Sequence, residues 1–214
     1  TYVGLMLIER LVFKEGKQVV LFAPKAARED VWEPVLRQYL ERVFSGFVNL
    51  VIYNHTDLQR HGKWPREIEM TVRDADAVII DEAHHFRNPG IAGEGIKTPS
   101  RYRLLQGYLQ DSDRPKQVFC LTATPVNNSV HDFRHMIELY TGGDERRFAP
   151  TLGIHSLRRH FIDLEKKILG RLPASEQMSL LVEADIKEAE RALRRDPVFD
   201  ALVVQRSRAY VKES

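Results

Sequence analysis

A single cysteine, Cys120, rules out an intrachain disulfide framework, and its place within an apolar run predicts a small buried side chain in a reducing, intracellular setting. No apolar run approaches the ~20 residues that a bilayer-spanning helix needs, and no signal-peptide pattern opens the chain, so the expectation is a soluble cytoplasmic protein with no membrane partner. Charge of one sign is also missing. With 32 basic and 30 acidic residues the net charge is +2, which gives no global field for nucleic acid and leaves any such binding to local patches. Internal repeats and low-complexity tracts are absent. So is a cysteine or histidine cluster at zinc spacing. His84 and His85 stand without such partners, while His131 and His135, four apart on an expected helix, read as a solvated helical face. No zinc is assigned.

What the chain does hold is enough apolar material for a substantial core, 43% of the residues in 24.8 kDa, and one main domain is expected. Apolar runs at Val19–Ala23, 48–53, 77–81 and 118–122 read as buried parallel strands. Helical patterns such as 2–13 and 31–44 separate them, the alternation of a doubly wound α/β sheet. Residues 88–100, with two prolines and three glycines, read as a mobile loop. A helix over 129–140 is expected to stop at Gly142-Gly143. From about Asp144 the periodicity changes. Short amphipathic pieces, a break at Leu172-Pro173 and a charged helical pattern at 185–195 predict an appended helical subregion.

The chemistry concentrates in Val78-Ile-Ile-Asp81-Glu82-Ala-His84-His85, an apolar strand ending in a carboxylate pair. In nucleotide-hydrolysing sheets the first carboxylate of such a pair holds the Mg²⁺ shell and the second takes a proton from the attacking water. A strand end carrying solvated charges is the plain alternative. A second apolar run breaks into hydroxyl residues at Cys120-Leu-Thr122-Ala-Thr124-Pro, after a segment long enough for a crossover helix. At the carboxyl ends of neighbouring parallel strands the two motifs would face one crevice, where open α/β sheets bind ligands. The plain alternative for Thr122 and Thr124 is a hydroxyl cap satisfying backbone donors.

Asp81-Glu-Ala-His84 and Thr122-Ala-Thr-Pro125 resemble motifs II and III of superfamily 2 helicases and translocases. The longer stretches Asp81-Glu-Ala-His-His-Phe-Arg-Asn88 and Leu121-Thr-Ala-Thr-Pro-Val-Asn-Asn-Ser129 are more similar to the Snf2-like branch than to DEAD-box RNA helicases. Lys17-Gln-Val-Val-Leu-Phe-Ala-Pro-Lys25 looks like that family's motif Ia, and Ile52-Tyr-Asn-His-Thr-Asp-Leu58 sits where a further nucleic-acid-facing motif belongs. Thr1-Tyr-Val-Gly resembles the continuation of a phosphate loop from just after its lysine, so only the loop's hydroxyl is expected here.

The resemblance implies an α/β, RecA-like P-loop NTPase lobe over 1–143 with an incomplete phosphate loop. A helical extension over 144–214 would lead toward a second RecA-like lobe absent from this chain. It implies ATP and Mg²⁺ as cofactors, Asp81 as outer-shell metal ligand, Glu82 as catalytic base, and the Thr1 hydroxyl on metal and nucleotide. His84 would sit near the γ-phosphate with Thr122 and Thr124, passing nucleotide state between motifs through hydrogen bonds that change on hydrolysis. Lys25 and Thr56 would contact the nucleic-acid backbone, and Arg206 and Arg208 would form an interlobe element, with helix capping or acidic pairing as their plain alternative. The implied activity is nucleic-acid-dependent ATP hydrolysis coupled to translocation on, or remodelling of, duplex DNA. The 214-residue chain alone is expected to turn over poorly. Two alternatives stay open: an unwinding DEAH-type helicase or restriction-system motor, and a degenerate lobe serving as a nucleic-acid-binding or interaction scaffold.

Overall fold

The structure, a computed structural model, describes residues 2–40, 49–90, 99–110, 114–123, 130–169 and 191–204. It is an α/β architecture built on four parallel strands in the order β2-β1-β3-β4: β1 Val19–Ala23, β2 Leu50–Asn54, β3 Ala77–Ile80 and β4 Gln117–Cys120. The central strands β1 and β3 are buried at every position. Their continuous Val, Ile, Leu and Phe content is the pattern required when both faces of a sheet are covered. Val19, Leu21, Ala77 and Ile79 share one face with Ile8, Leu11, Trp32 and Leu36, whereas Val20, Phe22, Val78 and Ile80 alternate onto the other. Polar substitution at Ile79, which has no solvent exposure, would forfeit roughly 1.5–3 kcal/mol of burial before any cost of the polar group itself.

Helix α1 (Tyr2–Ile8) continues as a π-helical stretch, Glu9–Lys14. After β1, Pro24 holds φ −58° and the chain enters a helical run: α2 (Lys25–Ala27), a π-helical turn Arg28–Trp32, and α3 (Glu33–Leu40). This helix starts earlier than the sequence pattern suggested, because the pre-set proline and Lys25-Ala-Ala launch it before the apolar periodicity becomes visible. A 3₁₀ turn, His55–Gln59, follows β2; α4 (Trp64–Asp74) precedes β3; α5 (Arg101–Gln110) precedes β4. Strand ends also differ by a residue or two from expectation. β2 extends to Asn54, β3 closes at Ile80, and β4 runs from Gln117 and closes at Cys120, ahead of Thr122.

The chain divides into two compact units, Thr1–Pro125 with His135–Gly143, and Val126–Arg134 with Asp144–Ser214. Helix α6 (Val130–Thr141) contributes to each and ends at Gly142 and Gly143, both at positive φ, where a non-glycine residue would be strained. The second unit is helical among its described residues: α7 (Ala149–Leu152), α8 (Leu157–Leu169) and α9 (Pro197–Leu202). Its core gathers Phe133 against Phe161 and Phe199, with ring centroids 6.0 and 5.1 Å apart. Asp196 caps α9 by accepting from the backbone N–H groups of Val198 and Phe199, and also lies 2.6 Å from His160 Nε2. No helix among the described residues is long and apolar enough to cross a membrane. The predicted break at Leu172-Pro173, most of the 185–195 pattern and the centre of the 88–100 loop lie outside the described residues.

Candidate functional site

From β1 the chain steps outward to β2, then returns to the other side of β1 as β3 and steps outward again to β4. The reversal between β1 and β3 is a topological switch point, and open parallel sheets form their ligand crevice at the carboxyl ends of the strands there. The turn Asp81-Glu82-Ala83 occupies that end of β3. The Asp81 N–H donates to the Phe22 carbonyl across the switch at 2.8 Å. On the other side the Leu121 N–H donates to Ile80 at 2.8 Å, and the Ala83 N–H donates to Leu121 at 2.9 Å. The turn is therefore tied to both neighbouring strands.

Between those ties Glu82 adopts φ 47°, ψ 50°, the one non-glycine residue at positive φ among the described residues. A left-handed glutamate costs on the order of 1–2 kcal/mol, which the flanking ladder bonds must hold in place. The backbone turns out of the strand at this residue, and the Glu82 side chain is 43% exposed. Asp81 remains 9% exposed. The two adjacent carboxylates thus sit in different surroundings, one walled in and one reaching solvent.

Asp81 follows Ala77 and Ile79 in the two-residue alternation, onto the sheet face that carries Trp32. The Trp32 indole Nε1–H donates to Asp81 Oδ2 at 2.7 Å, and the indole itself has no solvent exposure. Asp81 Oδ1 accepts no hydrogen bond from the described residues. One oxygen is anchored and the other keeps its acceptor capacity. Among the described residues no three or more His, Cys, Asp or Glu side chains group closely enough to hold a metal between them. A lone anchored carboxylate suits Mg²⁺, which is held by one or two carboxylates and completed by phosphate oxygens and water.

Three histidines line the same turn. His84 Nδ1 lies 3.1 Å from Glu82 Oε2, close enough for an ion pair when the imidazole is protonated but not aligned as a hydrogen bond. The His84 and His85 rings are 4.3 Å apart, and burial, His84 and Arg101 lower the His85 pKa. His55, at the end of β2, is 3% exposed and packs its ring against Phe86 and His85 at 4.9 and 5.5 Å. Burial and the neighbouring His85 lower its pKa to about 4, opposed by bonding to the backbone of Asp81 and Phe22. His55 is thus a neutral strut between the ends of β1, β2 and β3.

The expected site residues fall as follows. Lys25 opens the helical run at the end of β1, its side chain 70% exposed and 3.8 Å from Glu29. Thr56 is exposed just beyond β2, and Thr122 is half-buried just beyond β4. Lys25, Thr56, Asp81, Glu82, His84 and Thr122 therefore all follow the carboxyl ends of the four strands. Thr1, Thr124, Arg206 and Arg208 lie outside the described residues.

The solvated face expected for His131 and His135 is not what the structure shows. His131 Nε2 is 3.0 Å from Glu165 Oε2, and His135 Nδ1 is 2.6 Å from the Arg87 carbonyl, each half-buried in a different unit. The Cys120 residue is only half-buried, yet its thiol is enclosed and burial pushes its pKa up to about 12. Sequence reasoning missed His55, whose signal was a polar break after an apolar run, and Trp32, which carried none. Compared with models of known protein families, the sequence matches none.

Proposed function

We propose that this chain is the first ATP-binding lobe of a Snf2-like superfamily 2 ATPase that couples hydrolysis to translocation on duplex DNA. The reading is carried by the Asp81-Glu82 turn at the switch point, one carboxylate anchored and buried and the next swung into solvent by a left-handed backbone. Mg²⁺-ATP, when bound, supplies the phosphoryl group and the cation that screens its charge. Asp81, with Oδ2 held by Trp32, would hold that cation as an outer-shell ligand. Glu82 orients the hydrolytic water and takes its proton, and His84 Nδ1 lies 3.1 Å from the Glu82 carboxylate. Thr122, one residue beyond Leu121, joins the phosphate end of the site, with Thr1 and Thr124 assigned to it by the family resemblance alone. Lys25 and Thr56 hold the DNA backbone, contacts that set register without reading sequence. Lys25 gives up only an exposed pair with Glu29 to do so, at a cost of about 0–0.5 kcal/mol. A second lobe, reached through Arg206 and Arg208, completes the site.

The test uses the natural-length protein with Mg²⁺-ATP and a panel of duplex DNA, single-stranded DNA and RNA. Hydrolysis should rise most with duplex DNA, and the protein should displace a third strand from a triplex without opening a forked duplex. Opening of the fork would instead assign an unwinding helicase. Retained nucleic-acid binding with no turnover on any track would assign a scaffold.

A further inference from the structure

Trp32 lies 49 positions before Asp81 in the chain, yet its indole N–H is spent on that one carboxylate oxygen at 2.7 Å. We propose that Trp32 is the positioning residue for Asp81, fixing the direction of the metal-facing oxygen and tying it to helix α1 through Gly4; this rests on the nucleotide-hydrolysing reading above.

A carboxylate turns easily about its terminal torsion, which is broad and roughly two-fold. Engaging Oδ2 removes that freedom, so Oδ1 points along one direction rather than sampling several. Hydrogen bonds that orient a carboxylate beside a metal are part of how metal sites set geometry and affinity. Trp32 suits the task because its ring is rigid, donates only, and is locked by complete burial in the cluster of Ile8, Leu36, Ala77 and Ile79. A surface lysine in its place would bring charge without a fixed direction.

Gly4 gives the arrangement its second anchor. A Cβ at Gly4 would overlap Cη2 of Trp32 and fall 2.8 Å from Cδ1 of Leu121. Helix α1 therefore lies flush on the indole at a point also touched by Leu121, the residue before Thr122. Pressing α1 closer would push on both the indole that holds Asp81 and the strand end that precedes Thr122. The plain competing role is that Asp81 merely satisfies a buried indole donor, a contribution to stability alone. The two roles differ in what Mg²⁺ does.

In the natural-length protein, Trp32→Phe keeps an aromatic ring and removes the donor. At saturating ATP, the Mg²⁺ concentration for half-maximal hydrolysis should rise about 10-fold while the KM for nucleotide at saturating Mg²⁺ stays within about two-fold. A Mg²⁺ titration that superimposes on wild type overturns the role of Trp32 and leaves the ATPase reading standing. Absence of Mg²⁺-dependent turnover in wild type overturns the ATPase reading and this role with it. Should Trp32→Phe fail to fold, Gly4→Ala in the natural-length protein presses on the indole without removing its donor. The Mg²⁺ dependence of its equilibrium ADP binding should then shift to higher Mg²⁺, and a binding curve that superimposes on wild type overturns the role.

Discussion

At the scale of single residues, Glu82, the proposed base, is also the one described non-glycine residue with a left-handed backbone. Glu82→Gln preserves shape and removes the base, so nucleotide affinity should stay within a few-fold while turnover falls about 10²–10⁴-fold, as read by steady-state hydrolysis beside equilibrium binding. His55 makes a separate claim about stability. Its folded pKa of about 4 lies below the ordinary 6.5, so the unfolded chain binds a proton first as pH falls. The stability from neutral His55 is whole above about 6.5 and is lost progressively toward about 4, amounting to roughly 3 kcal/mol. Melting temperatures across that range should fall less steeply for His55→Phe, which keeps the ring packing on Phe86 and cannot titrate. The strand-end turn at Asp81 and Glu82 was legible in the sequence because its signal is local: an apolar run and two adjacent carboxylates. Trp32 and His55 were not, because each acquires its role from a partner brought near only by the sheet.

At the scale of elements, helix α1 is held by shape more than by propensity. Gly4→Ala gains about 1 kcal/mol of helix propensity in an ordinary helix. Here the added methyl group meets the buried Trp32 ring, and overpacking of this kind costs about 1–3 kcal/mol. Denaturant melts should therefore show Gly4→Ala to be neutral or less stable than wild type, and a clear gain would show that α1 does not press on the indole. Strand β4 carries its own check. With the Cys120 thiol enclosed and its pKa pushed up to about 12, a thiol reagent should modify the native protein only as fast as β4 opens. Reaction at the rate of a free thiol would contradict that enclosure. The strands themselves were readable from unbroken apolar runs, since burial on both faces leaves no alternation to decode. Their ends were less so. Hydrogen-bond pairing between β3 and β4 reaches Leu121 and Ala83 while the chain has already turned at Glu82, a decision made by the neighbouring strand rather than by local propensity.

At the scale of the whole molecule, alternation of strand and helix announced an α/β sheet, but the order β2-β1-β3-β4 and its switch point came only with the fold. That order matters because it places Lys25, Thr56, Asp81 and Thr122 at one end of four different strands. A net charge of +2 leaves the proposed DNA affinity to individual contacts. Lys25→Ala should thus weaken duplex binding by the natural-length protein irrespective of base sequence and reduce the salt dependence of log Kd by about one. The most direct test of the central claim is Mg²⁺-ATP hydrolysis by the natural-length protein on duplex DNA, wild type against Glu82→Gln. DNA-stimulated turnover that disappears in Glu82→Gln is the predicted result, and turnover that is absent from wild type or untouched by Glu82→Gln would contradict the account.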